Sequence, residues 1–267
     1  AVADGASLAE LWPAVTSELV FPMTHVHSPA ELTAERVDVE FVFAHDRIRQ
    51  AVLCLLDEGS HRRIRLQVGR RLLDLGAVEG ERLFEVVNHW NFALDLLDAE
   101  RPQLAALNLQ ASKAALAQGA GADALTLARA GIAALGDDAW SRHYDLTLDL
   151  HLLAAEAAFA WADHDALATV AEQVAARARQ PIDVVRVRRL AGRVHQAQFR
   201  IGKAIGVYVD ALATLGIALP ERPSPADIAA ELRLTQDELH GRSVDDLLLL
   251  PECRDSATQL AMEMLSK

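Results

Sequence analysis

The chain has 267 residues, 51% of them apolar but only 5% aromatic, and its 38 acidic against 26 basic residues leave a formal charge of −12. That charge opposes nonspecific attraction to nucleic acid or to an anionic membrane. No apolar run approaches the ~20 residues that span a bilayer, so neither membrane nor nucleic acid is expected as a partner. Cys54 and Cys253 lie far apart, with neither metal-site spacing nor the density of a disulfide scaffold, and this points to a reducing cytoplasm. The apolar content is mostly alanine and leucine, the pair that fills closely packed helices. The chain opens at Ala1 without a methionine and stops shortly after Met264 in a helical pattern, and it reads as a stretch of a longer polypeptide.

Residues 8–19 form a short predicted helix, followed by two β-like runs, 19–24 and 37–43, joined by a segment containing Ser28 and Pro29. In the second run Val37, Val39, Phe41 and Phe43 alternate with Asp38, Glu40 and Val42, the period of a half-buried strand. From Asp46 the apolar set Ile48, Val52, Leu55 and Leu56 falls at helical spacing, with Asp46 placed as an N-cap or first-turn acid. Helix, hairpin, helix is the tail of a winged-helix unit. The helix over 8–19 has no Arg or Lys and carries Glu10 and Glu18, so it is ill suited to lie against DNA phosphates.

Beyond Gly59 nearly everything reads as helix, with breaks at 76–80, 99–102, 119–121, 136–138, 162–164, 180–181 and 200–202. The turns at Gly119, Asp163 and Gly202 recur at intervals of 44 and 39 residues, near the period of stacked helix pairs. Ala-rich stretches before the turns let helices approach, and Phe159, Trp161 and Phe199 are expected to plug the grooves between pairs. Pro220, Pro223 and Pro225 interrupt the pattern; Ser224 then caps a helix with Pro225 in its first turn, and two more short helices close the chain.

Few residues offer chemistry. Gly202-Lys203 lacks the upstream glycine of a phosphate-cradling loop, and no GxSxG elbow or HExxH zinc helix is present. His25 and His27 could present two imidazoles on one strand face, without an evident third ligand. His143, His151, His164 and His195 fall on or beside helices and read as polar surface or interhelix contacts. Asp95, Asp98 and Glu100, and Asp145 with Asp149, read as solvated helix faces with nothing concave recognisable around them. Arginines reverse the sign locally at Arg62, Arg63, Arg65, Arg70 and Arg71, and again at Arg177, Arg179, Arg186, Arg188, Arg189 and Arg193. Each cluster is either a solvated face paired with neighbouring acids or a strip for an acidic segment. Arg186, Arg188, Arg189 and Arg193 are the candidate interaction residues.

The run Phe41-Val42-Phe43-Ala44-His45-Asp46-Arg47-Ile48-Arg49 resembles the strand-to-helix junction closing the ATPase module of large bacterial signalling proteins. In these, a STAND-class predicted ATPase is fused to serine/threonine kinase or sensor histidine kinase domains. The likeness continues at Leu66-Gln67-Val68-Gly69-Arg70-Arg71-Leu72-Leu73, Leu83-Phe84-Glu85-Val86-Val87-Asn88-His89-Trp90, Trp140-Ser141-Arg142-His143-Tyr144-Asp145-Leu146 and Gly241-Arg242-Ser243-Val244-Asp245-Asp246-Leu247. It implies a mainly α fold: a TPR-like helical-hairpin solenoid over 60–267 preceded by a small winged-helix-like α/β segment over 1–59. It further implies a non-catalytic regulatory module that makes protein contacts with its own ATPase and kinase domains or with an external protein. No cofactor is expected in this segment; ATP or ADP and Mg would belong to the parent protein. His45 and Asp46 look like the His-Asp step with which related switch ATPases sense the bound nucleotide, Asp46 capping the helix while the His45 ring N–H meets a phosphate. Ala44 departs from that pattern, where a larger apolar residue is usual. The alternative is an enzyme or small-molecule-binding domain with its site in the helical groove.

Overall fold

A computed structural model of the chain describes residues 8–23, 41–76, 78–220, 222–239 and 241–266. Among these residues the protein is mostly helical, with fourteen α-helices and one two-stranded sheet. It divides into two compact units, Ala1–Leu107 and Asn108–Lys267. The division expected at 59/60 lies inside the first of them.

In the first unit a 3₁₀ turn, Leu8–Leu11, runs into helix α1, Trp12–Thr16, whose early Pro13 needs no amide hydrogen in the first turn. The helix expected over 8–19 therefore ends early, and Glu18 turns the chain with φ 54°. Strand β1, Val20–Pro22, pairs antiparallel with β2, Phe41–Phe43, Val20 opposite Phe43 and Pro22 opposite Phe41. Residues 37–40 of the expected second strand, with His25 and His27, lie outside the described residues. The expected half-buried alternation does not hold over β2: Val42 and Phe43 point to opposite faces and are 41% and 42% exposed. Helix α2, Asp46–Leu55, forms where expected, but it buries no residue and Leu55 is 86% exposed.

The order within this unit comes from α3, Glu58–Asp74, and α4, Gly80–Phe92, two packed helices joined by a short connection. Asp57 caps α3 by accepting the Ser60 amide at 2.9 Å. Val86, Val87, Trp90 and Leu97 are almost fully buried. Gly69 leaves the space Trp90 fills: a Cβ there would come within 2.2 Å of the ring, and the indole N–H donates to the Leu66 carbonyl at 3.3 Å. Each such buried side chain contributes about 1.5–3 kcal/mol. The pairs Arg62–Asp95 and Arg70–Glu100 lie at the surface, where solvent screens them, so packing and not charge holds the hairpin.

Helix α5, Arg101–Ala117, contains the boundary between the units. The second unit continues with α6 (Gly121–Leu135), α7 (Ala139–Arg142), α8 (Tyr144–Ala160), α9 (His164–Arg177), α10 (Pro181–Ala197) and α11 (Ile201–Thr214). These helices pack chiefly on their neighbours in the chain. The breaks follow the sequence signals: Gly119 and Gly136 take φ 80° and 75°, Asp163 caps α9 through the Ala166 amide, and Pro181 opens α10. A further break, at His143 between α7 and α8, has no glycine or proline to announce it. Ser112, buried, donates to the Ala124 carbonyl at 2.7 Å and ties α5 to α6.

The expectation for Trp161 and Phe199 is overturned. Both lie in turns rather than between helices, 61% and 90% exposed, because the helices end before them; Phe199 itself takes φ 57°. The alanines preceding Trp161 do pack as expected, Ala154, Ala155, Ala157 and Ala158 being fully buried. After α11 come α12 (Pro225–Leu239), α13 (Val244–Leu248) and α14 (Ser256–Leu265). Ser224 and Asp227 exchange hydrogen bonds at the start of α12, and Ser243 with Asp246 do so at α13.

Candidate functional site

A cavity of about 670 Å³ lies between α11 and α12 in the second unit. Ile205, Val209, Leu219, Pro220, Ile228 and Leu232 line it. Spacing explains the lining: Ile201, Ile205 and Val209 recur every four residues on α11, and Ile228 and Leu232 do so on α12. Ile205, Ile228 and Leu232 nevertheless remain 44%, 50% and 57% exposed, so the groove is open and apolar rather than filled. Of its two acids, Asp227 and Glu231, Asp227 already serves the α12 cap, where the bonds from Ser224 hold its carboxyl below the ordinary range. Phe199, two residues before Ile201 and outside the lining of the groove, is a bare aromatic residue in a left-handed backbone conformation that bulky residues rarely adopt.

A second, polar cavity of about 300 Å³ is lined by Tyr144, Asp145, Asp149, Asp183, Arg186 and Ser256, among others. Asp145 and Asp149 are exposed, as a solvated face requires, but a concavity does lie beside them, where α10 brings Asp183 and Arg186. Asp183 is buried and accepts the Tyr144 hydroxyl at 2.7 Å, while that hydroxyl accepts the Arg179 amide at 2.7 Å. Burial, more than these partners, raises the Tyr144 pKa. The Arg179 guanidinium lies 4.1 Å from the Tyr144 ring centre, a second anchor for the same corner.

The four arginines proposed for interaction have different fates. Arg189, with a side chain 17% exposed, bonds Glu263 of α14 and approaches Glu156 at 3.9 Å. Arg193 stacks 4.3 Å from the Phe159 ring centre. Arg186 reaches the polar cavity and a smaller one of about 280 Å³ lined also by Leu152, Glu156, Arg189, Leu190 and Leu260. Arg188 faces outward. In the first unit Arg62, Arg63 and Arg70 hold Asp95, Ser60 and Glu100, and Arg65 lies over Phe92.

At the start of α2 Asp46 takes the first-turn place, one of the two expected for it, and the cap falls to its neighbour. His45 is the N-cap, its Nδ1 accepting the Arg47 amide at 3.2 Å, whereas Asp46 lies in the first turn and pairs with Arg49 at 3.1 Å. An accepting Nδ1 places the proton of the neutral ring on Nε2. His151 is buried beneath Trp140, with Nδ1 2.7 Å from the Thr147 carbonyl, and burial lowers its pKa. His195 is half-buried and His164 exposed. Among the described residues no group of three or more His, Cys, Asp or Glu is arranged to hold a metal ion, and no helix is long and apolar enough to cross a membrane.

Comparison with protein-family models, with curated proteins and with solved structures finds no match for this chain.

Proposed function

We propose that the chain is a non-catalytic interaction module of a cytoplasmic multidomain signalling ATPase, its helix pairs forming a TPR-like stack and its first segment the end of a winged-helix domain. The observation that carries this reading is the apolar groove between α11 and α12. Aliphatic side chains at helical spacing, bared on both walls, suit the apolar stripe of a protein segment. The uncovered face of α2 and the bare Val42 and Phe43 support a second protein contact in the first unit. Within the parent, contact at the groove would shift the population of domain arrangements, and the Nε2–H of His45, left over by the cap, would meet the nucleotide phosphate of the ATPase domain.

A pull-down against the ATPase and kinase segments of the same polypeptide tests the reading. Binding to either, lost in the double variant Ile205→Glu, Leu232→Glu, is the expected result. Binding unchanged in that variant, or micromolar calorimetric binding of ATP to the isolated chain, overturns it. The polar cavity around Asp183 favours the second reading, a small-molecule site in the helical groove, and a saturable ligand blocked by Asp183→Asn would establish it.

A further inference from the structure

Between α11 and α14 the chain runs from 216 to 255 without one buried residue among those described, although it contains two helices. Helix α14 then returns to the body of the unit. Ala261 and Met264, one helical turn apart, enter a cluster with Val185 of α10 and Ala204, Tyr208, Ala211 and Leu212 of α11, with Leu260 alongside. Between them in sequence, Glu263 bonds Arg189, and Asp255 caps the helix by accepting the Thr258 amide. The seat is thus specific in chemistry: a small residue, a carboxylate and a long unbranched apolar residue in one turn.

The fit is incomplete. Two cavities flank α14, the polar one reaching Ser256 and the smaller, more apolar one reaching Leu260. The Nε of Arg189 is buried without a partner, and Met262 and Leu265 on the outer side remain 59% and 55% exposed. Ten residues are too few to hold a helix by themselves. Docking on the seat therefore stabilises α14, while the described residues of 216–255 touch the unit only through partly buried contacts such as Ile217 on the same cluster.

We propose that α14 is exchangeable and that the seat on α10 and α11 also accepts α14 of a second copy of this chain, giving a reciprocal dimer. The argument rests on the seat and the unburied arm, not on the groove between α11 and α12, so it stands apart from the function proposed above. An arm of this kind gives the chain's own α14 an effective concentration of about 1 mM, which favours the monomer in dilute solution. Reversing the charge pair removes that advantage. Arg189→Glu and Glu263→Arg chains each carry a mismatched seat, whereas a mixed dimer restores both pairs.

The test is hydrogen exchange with light scattering on the full chain. In the wild type, the α14 amides are expected to exchange at least about tenfold faster than those of α8 and α10. Each single variant is expected to be monomeric with a further loss of α14 protection of about tenfold. A 1:1 mixture is expected to form dimers and regain protection. Two outcomes overturn the proposal: a mixture that stays monomeric with α14 unprotected, or wild-type α14 amides as slow as those of α10, which would make α14 a fixed cap. The wild-type measurement decides even where Arg189→Glu disturbs α10 through the nearby Glu156.

Discussion

Helices α8 and α12 are of similar length, yet α8 buries nine of its residues and α12 none. Both have good helix formers. The difference is cover: α8 is apolar around most of its circumference and lies among α6, α9 and α10, whereas α12 carries a narrow stripe, Ile228 and Leu232, with acids beside it. Propensity and caps suffice to write a helix into the chain, but only neighbours decide whether it belongs to a core.

The sharpest test of this contrast is truncation. Leu150→Ala and Leu190→Ala remove nearly fully buried side chains, and each is expected to cost about 2–5 kcal/mol in urea denaturation. Leu232→Ala on α12 is expected to cost less than about 0.5 kcal/mol. An equal cost at Leu232 would show that α12 is covered in solution, and the contrast would fail.

A smaller effect separates two glycines of the same helix pair. A Cβ at Gly192 would come within 2.2 Å of the Tyr208 ring, so Gly192→Ala is expected to destabilise by about 1–3 kcal/mol. Gly206 on α11 has open space around its Cβ position, and Gly206→Ala is expected to stabilise by up to about 1 kcal/mol. Thermal unfolding of the two variants measures the difference, and equal shifts would contradict the packing described for Tyr208.

Acidification should affect α8 next. Burial lowers the His151 pKa, and Arg177 acts in the same direction against the Thr147 and Gln173 bonds. The neutral ring is therefore favoured in the fold, and its stability is fully present above the unfolded value of about 6.5 and lost as pH falls below it. His89, also lowered mainly by burial, adds to the same slope in the first unit. The melting temperature is expected to fall between about pH 7.5 and pH 5.5, with a shallower fall in His151→Gln. An identical slope in the variant would remove His151 as a source.

The smallest effect belongs to the uncovered region. Ser243→Ala deletes the cap of α13 and is expected to cost about 1 kcal/mol of local helix stability, read as faster amide exchange over Val244–Leu248. Global unfolding is expected to stay unchanged, since α13 lies in a stretch with no buried residue among those described. A shift in the global transition would place α13 in the cooperative core.

Much of the helical layout was legible because its signals are local. Gln180-Pro181, Asp163 and Ser224-Pro225 act on the backbone within a turn of themselves, and α10, α9 and α12 begin where they say. Where the signal is weak the reading slipped, as at His143 and at the early end of α1. The candidate site was less legible. An apolar stripe such as Ile201, Ile205 and Val209 looks the same in sequence whether a core or solvent faces it. Arg189 and Glu263 are 74 positions apart, and no local pattern joins them.

Sequence by itself determined the helical class, the order of elements and the position of most turns, because backbone preferences, caps and periodicity operate over a few residues. Tertiary structure alone decided that Phe199 lies bare, that Asp183 joins Asp145 and Asp149 at one cavity, and that α14 returns to α10 and α11. Those outcomes depend on surfaces distant in sequence meeting in space, where burial and charge pairing are set by whichever neighbour arrives.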